Sequence, residues 1–296
     1  MLQQKQVKSV LNKLKKRDSW FLVDYTANPF EGCSCNCQYC YVRGSKYGEN
    51  MEDGLAIKMN APELLDKQLS LRARKNEYGF VALGSATDAY IHHELQWKIS
   101  RRMLEILLKH RFPVFISTKT SLIKRDLDLL KAIDQNAIIP EDLKPGINRG
   151  LILSVSLSTL DEKIAGTLEP GAIPPAQRLE LVAALKQKGF LVGVNAIPLL
   201  PYISDTEEEL EKIMIAVKKS GADYILVGGL TLFGAAPADS KTLYFKFLER
   251  SYPELIPKYR ELYRFGFSTQ GDYQLRLKER ADKLCSKYQI RSSIIS

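Results

Sequence analysis

The stretch Asn28-Pro29-Phe30-Glu31-Gly32-Cys33-Ser34-Cys35-Asn36-Cys37-Gln38-Tyr39-Cys40-Tyr41 holds four of the chain's five cysteines within eight residues. A disulfide scaffold spreads its cysteines along a chain, whereas a tight group points to metal or redox chemistry. Cys33, Cys37 and Cys40 form a C-x3-C-x2-C pattern, a spacing at which three thiolates can bind three irons of a [4Fe–4S] cluster. The fourth iron is then open to a small chelating molecule, as the open position of a catalytic zinc is open to substrate. Two other readings stay open. Cys35 could replace Cys33 as first ligand, and all four cysteines could hold a structural zinc, although their C-x-C-x-C steps are short for that role.

The residues on either side of this stretch set the fold. Short apolar runs at Phe21–Thr26, Gly79–Leu83, Pro113–Ser117, Leu151–Leu157, Leu191–Ala196 and Tyr224–Val227 read as strands. Between them, periodic charged segments at Pro62–Lys75, His93–His110, Lys124–Ala132, Pro175–Lys188 and Asp205–Ser220 read as amphipathic helices. This alternation predicts an α/β fold with a parallel sheet. Its units number about six, so the expected architecture is a partial (β/α)6 TIM-like barrel with its site at the C-terminal strand ends. The cysteine stretch lies directly after the first strand, at that end. After Leu230 the alternation stops, and residues 241–290 read as two or three helices rich in Lys, Arg, Tyr and Phe. The expected regions are a basic N-terminal segment with the first strand (1–27), a core barrel (28–230) and a helical C-terminal extension (231–296).

Composition adds bounds. Of 296 residues, 45% are hydrophobic and 26% charged, which excludes a disordered, collagen-like or disulfide-stapled chain. The net charge of +9 favours polyanionic partners such as nucleic acid or a phosphorylated substrate. No apolar run approaches the ~18 residues of a membrane span, and no apolar signal core follows the basic N-terminus, so a cytoplasmic location without a membrane is expected. Lys5, Lys8, Lys13, Lys15, Lys16 and Arg17 lie near the start. Lys241, Lys246, Arg250, Lys258, Arg260 and Arg264 alternate with Tyr244, Phe245, Phe247, Tyr252, Tyr259 and Tyr263. Such rings and cations can stack bases and track phosphates, or the helices can form a cap whose rings pack on the barrel.

C-x3-C-x2-C followed by an aromatic residue resembles the signature of radical S-adenosylmethionine (SAM) enzymes. The words N-P-F-E-G-C, C-Q-Y-C-Y, L-G-S-A-T-D-A-Y, I-S-T-K-T, S-V-S-L-S-T-L-D and L-E-P-G-A occur in order between residues 28 and 202 and resemble the spore photoproduct lyase-like branch. The resemblance implies that Cys33, Cys37 and Cys40 bind a [4Fe–4S] cluster that passes an electron to SAM. Cleavage would yield a 5′-deoxyadenosyl radical that abstracts hydrogen from a substrate. An external one-electron reductant of flavodoxin or ferredoxin type is implied as partner. The resemblance places Tyr39 and Tyr41 at the cofactor and on a radical relay. The Ser85, Thr87 and Asp88 segment would meet the methionine amino group, and Lys119 its carboxylate. Ser156, Arg178 and Asn195 complete the expected cofactor contacts. The lyase's hydrogen-donating cysteine would align with Ser85, whose O–H bond is too strong for that task. The expected function is therefore lyase-like radical chemistry on a nucleic acid or nucleotide. The same chemistry on a peptide or small metabolite is the alternative within the class, and a zinc-stabilised nucleic-acid-binding protein is the alternative outside it.

Overall fold

A computed structural model of the chain describes residues 2–48 and 54–295; Met1 and Ser296, the outermost residues of the expected terminal regions, lie outside them. The chain opens with strands β1 (Gln3–Lys5), β2 (Leu11–Lys13), β3 (Val23–Ala27), β4 (Phe30–Glu31) and β5 (Ala56–Lys58). Helix α1 (Ala61–Arg74) leads to β6 (Phe80–Leu83), α2 (Glu94–Trp97), α3 (Ile99–Lys109) and β7 (Val114–Thr118). Next come α4 (Leu127–Asn136), β8 (Leu151–Ser156), α5 (Glu162–Leu168), α6 (Pro175–Gln187), β9 (Val192–Ala196), α7 (Glu207–Lys219) and β10 (Ile225–Val227). Helices α8 (Ser240–Ser251), α9 (Ile256–Leu262) and α10 (Gly271–Tyr288) complete the order.

Strands β3, β6, β7, β8, β9 and β10 pair in parallel and in chain order, and β2 adds antiparallel to β3 at the edge. Among the described residues β2 and β10 are not hydrogen-bonded to each other, so the sheet is an open, partial barrel. Two features were not legible beforehand. One is β2; the other is a small sheet in the order β1-β5-β4, whose strands have only two or three residues and so show no periodicity.

Side chains alternate between the two faces of a strand. Val81, Leu83, Val114, Ile116, Leu151, Leu153, Val155, Val192 and Val194 pack with buried residues of the surrounding helices, such as Leu65, Leu104, Leu130, Leu181 and Ile213. The intervening residues Phe80, Ala82, Phe115, Ile152, Tyr224 and Leu226 form a separate inner cluster with Leu143, Ile147 and Ile294. A Cβ on Gly193 would overlap the Tyr224 ring, so the glycine is what admits this large plug. The Tyr224 hydroxyl donates to the Leu153 carbonyl at 2.8 Å and lies 2.6 Å from Ser154 Oγ. The barrel floor is therefore filled. Further along the strands the same inner alternation places Ser117, Lys119, Ser156 and Asn195, so the lining turns polar toward the C-terminal end.

The single helix expected over His93–His110 is broken into α2 and α3. Lys98 adopts a left-handed conformation (φ 50°), and the fully buried Glu94 turns back to accept the Ser100 and Arg101 amides at 2.9 and 3.1 Å. This carboxylate caps α3 from the preceding helix, a tertiary signal that periodicity does not carry.

The C-terminal helices divide their work. Helix α10 packs on α7 and β10, bringing Leu277, Ala281 and Leu284 into the main core. Helices α8 and α9 join Tyr39, Leu200, Leu230 and Leu232 in a second cluster. There Tyr244, Tyr259 and Tyr263 are buried, with hydroxyls engaged: Tyr244 with Tyr259 at 3.0 Å, Tyr259 on the Pro201 carbonyl at 2.6 Å and Tyr263 on the Leu230 carbonyl at 2.8 Å. These rings pack a cap and are not free to stack on bases. Several N-terminal cations are also paired: Lys5 with Glu31, Lys13 with Glu77 and Arg17 with Asp24.

Candidate active site

Strand β4 pairs antiparallel with β5 and delivers the chain into the cysteine loop, which turns through left-handed backbone at Gly32 (φ 75°) and Asn36 (φ 50°). The loop is pinned from several sides. Thr87 Oγ1 donates to the Gly32 carbonyl at 2.6 Å, Gln38 N to Leu168 O at 2.8 Å, Gly171 N to Cys35 O at 3.1 Å and Arg43 Nε to Cys37 O at 3.1 Å. Cys33, Cys37 and Cys40 are partly exposed and unbridged, whereas Cys35 is buried. Among the described residues no three His, Cys, Asp or Glu side chains converge closely enough for one metal ion. A cubane does not require that convergence, since each thiolate binds a different iron.

The cysteines differ in environment. Cys35 Sγ lies 3.8 Å from the buried Asp88 Oδ2. Its hydrogen bond to Cys33, burial and the Asp88 charge together hold its thiol well above the usual range. The same hydrogen bond from Cys35 holds the Cys33 thiol below it, against burial. Burial raises Cys37 and Cys40, opposed by the nearby Lys119 ammonium.

Asp88 ties the loops at this rim together. Oδ1 accepts from Tyr90 N at 2.8 Å and Thr118 Oγ1 at 2.9 Å, and Oδ2 accepts from Lys119 N at 2.8 Å. Burial pushes its carboxyl above the usual carboxylate range, and the Lys119 and Tyr90 amides oppose that shift. Both oxygens are thus engaged by protein donors, which makes Asp88 a clamp between the segment after β6 and the end of β7. Ser85 stands at the exposed rim, 3.2 Å from Asn28 Nδ2, and its carbonyl accepts the Tyr41 hydroxyl at 2.6 Å. Tyr41 itself is 41% exposed. Tyr39 points the other way: it is buried in the second cluster, with its hydroxyl 2.8 Å from Ser158 Oγ and on Glu169 Oε1.

The inner polar layer brings together three of the expected residues. Ser117 Oγ lies 3.0 Å from Ser156 Oγ and accepts from Asn195 Nδ2 at 2.9 Å. Asn195 is 4% exposed, and its Oδ1 is buried with no hydrogen-bond partner among the described residues. A buried orphan acceptor is costly in a finished interior, so this atom fits a ligand that brings donors into the barrel. Arg178 is fully buried. Its guanidinium donates to Ile173 O at 2.7 Å and Ser156 O at 3.2 Å and pairs with Glu169 Oε2. Lys119 Nζ lies 3.9 Å from Glu169 Oε1. Burial works against its charge, but Glu169 and Cys37 outweigh burial and hold it protonated.

Sequence reasoning singled out neither Ser117 nor Thr118 and gave no contacts to Glu169. Ser117 was within reach of the alternation rule, two positions before Lys119 on the inward face of β7. The Glu169 contacts come from three distant segments and had no local signal.

A sequence model of the Radical SAM superfamily matches residues 27–215. An uncharacterized protein of Mycobacterium tuberculosis (strain ATCC 25618 / H37Rv) is 30% identical over 289 residues, covering 96% of this chain and 79% of the relative. The radical SAM Nalpha-GlyT isomerase of Pseudomonas phage M6 is 22% identical over 221 residues, covering 74% of this chain and 42% of the relative. Among solved structures, a tyrosine-to-phenylalanine mutant of spore photoproduct lyase superposes with a TM-score of 0.68 at 14% identity, covering 97% of this chain and 79% of that one. A double mutant of that lyase with bound AdoMet and dinucleoside spore photoproduct gives 0.65 at the same identity and coverage. These likenesses establish the fold. The superfamily match spans most of the chain, including the cysteine loop and the polar rim. The chain belongs to the radical SAM superfamily, and it is an enzyme whose cofactors are a [4Fe–4S] cluster and S-adenosylmethionine.

Proposed function

We propose that this chain abstracts a hydrogen atom from a nucleic acid or nucleotide, with Cys33, Cys37 and Cys40 as cluster ligands. The observation that carries the cofactor site is the juxtaposition of a multiply pinned three-thiol loop with the orphaned Asn195 Oδ1 at the polar end of the barrel. When bound, the cluster and SAM supply a 5′-deoxyadenosyl radical for hydrogen abstraction. Metal ligands are thiolates, and Cys35 is buried with its Sγ 3.8 Å from the Asp88 carboxylate, a setting that disfavours a thiolate. That supports Cys33 as the first ligand. Lys119 supplies the cation for a carboxylate, while Asn195, Ser156 and Ser117 offer polar atoms for ribose hydroxyls. Tyr41 offers an aromatic face at the rim, and the Gly84–Asp88 backbone would meet the amino group of the methionine moiety. The Tyr224 plug and the α8–α9 cap keep water out from below and beside this space. The external electron donor is proposed to be of flavodoxin or ferredoxin type.

For the substrate, the supporting observation is a set of exposed rings, two of them beside cations. Tyr47 is 62% exposed, 6.3 Å from Tyr41, with Lys46 at 5.2 Å. Phe267 is 55% exposed and stacks on Phe233, just beyond β10. Phe265, 82% exposed, lies 5.2 Å from the Arg264 guanidinium. Rings beside cations suit bases on a phosphate backbone, and a fold neighbour was solved with a dinucleoside lesion. Repair by the lyase's route is not proposed, because Ser85 cannot return a hydrogen atom as a thiol does. The test is transfer of deuterium. A perdeuterated oligonucleotide is expected to yield deuterated 5′-deoxyadenosine. Unlabelled product with oligonucleotides, together with label from a deuterated peptide, would reject the nucleic-acid reading.

A further inference from the structure

Glu169 is a buried carboxylate touching three elements of the site at once. Its Oε1 accepts from Tyr39, which sits between two cluster ligands, and lies 3.9 Å from Lys119 Nζ. Its Oε2 pairs with Arg178, whose guanidinium also holds the Ser156 carbonyl. Glu169 is carried on a strap that is itself laced to the same elements. Leu168 O and Gly171 N bond the cysteine loop, Ile173 N donates to Lys119 O at 3.2 Å, and Ile173 O accepts from Arg178. One carboxylate thus stands against two cations, the buried Arg178 and the partly buried Lys119. The Lys119 contact is the looser of the two, so its ammonium can serve a second anion without leaving Glu169.

We propose that Glu169 is a positioning residue that fixes the Lys119 ammonium between the cluster thiolates and the carboxylate of SAM, and thereby sets both the cluster potential and the cofactor affinity. This rests on the radical SAM reading of the site. The reasoning is electrostatic. In a water-poor site a fixed negative charge disfavours adding an electron nearby, so removing it eases reduction. Holding Lys119 at one spot preorganises it for a carboxylate.

Two variants separate charge from reach. Glu169→Gln is expected to load four irons and to move the cluster potential, read by EPR-monitored redox titration, to less negative values. Glu169→Asp keeps the charge but draws it back from Lys119, so the potential stays near wild type while KM for SAM rises about tenfold, the loss of one charge-assisted contact. If Glu169→Gln leaves Arg178 unpaired and fails to fold, the Glu169→Gln/Arg178→Gln double variant is measured instead. A shift of the same sign but smaller is expected there, because Glu169 contacts Tyr39 of the cysteine loop whereas Arg178 contacts Glu169, Ile173 and Ser156. An iron-replete Gln variant, single or double, with wild-type potential overturns the proposal, as does an Asp variant with wild-type KM. Failure of the underlying reading looks different: wild-type protein would then show neither the cluster nor SAM cleavage.

Discussion

Alanine at Cys33, Cys37 or Cys40 is expected to abolish cluster binding and SAM cleavage, whereas alanine at Cys35 is expected to retain both. On the proposed assignment each of the three positions would supply a thiolate to a separate iron, and a cubane held by two ligands would be lost or degraded. Cys35 has the opposite environment: it is buried, 3.8 Å from the Asp88 carboxylate, and its thiol proton is strongly held. A second anion there would face Asp88 directly. The check is iron and sulfide content with the visible and EPR spectra after anaerobic reconstitution of all four variants. Four irons in Cys33→Ala and none in Cys35→Ala would move the first ligand to Cys35.

Gly171→Ala is expected to lose most of the cluster while the barrel stays folded. A Cβ at this position would overlap the Ser34 carbonyl oxygen, and the next nearest atoms are Ser34 C at 2.9 Å and Cys35 Cα at 3.0 Å. All three are backbone, so no side chain can swing away and the cysteine loop itself must move. Such overpacking costs about 1–3 kcal/mol, and here it falls on the segment that spaces the ligands. It also breaks the Gly171 N to Cys35 O bond. Iron content should fall below about half of wild type, with the thermal midpoint lowered by a few degrees. Gly166→Ala serves as the control, because its Cβ would meet nothing within 4 Å, and it should load normally.

The barrel was legible because its signals are local. Strands such as Leu151–Ser156 are buried along their length and flanked by amphipathic helices, and that pattern is printed in the sequence. The cysteine loop was legible because ligand spacing is a property of a few consecutive residues. What escaped was long-range. The break at Lys98 depends on Glu94 folding back onto α3, and Arg178, expected among the cofactor contacts, is buried because Glu169 and two carbonyls receive it. Tyr39 and Tyr41 are neighbours in a motif, yet one anchors the cap and the other lines the rim. Only the turn geometry of the loop separates them.

On the proposed function, this polar rim and three-thiol loop carry out reductive cleavage of SAM. The most direct measurement is chromatography of the anaerobically reconstituted protein with SAM, before and after addition of dithionite. Formation of 5′-deoxyadenosine and methionine in equal amounts, only after reduction and only with Cys33, Cys37 and Cys40 intact, is the expected result. Intact SAM in the presence of a reduced, fully loaded cluster, or a colourless protein holding one zinc, would contradict it.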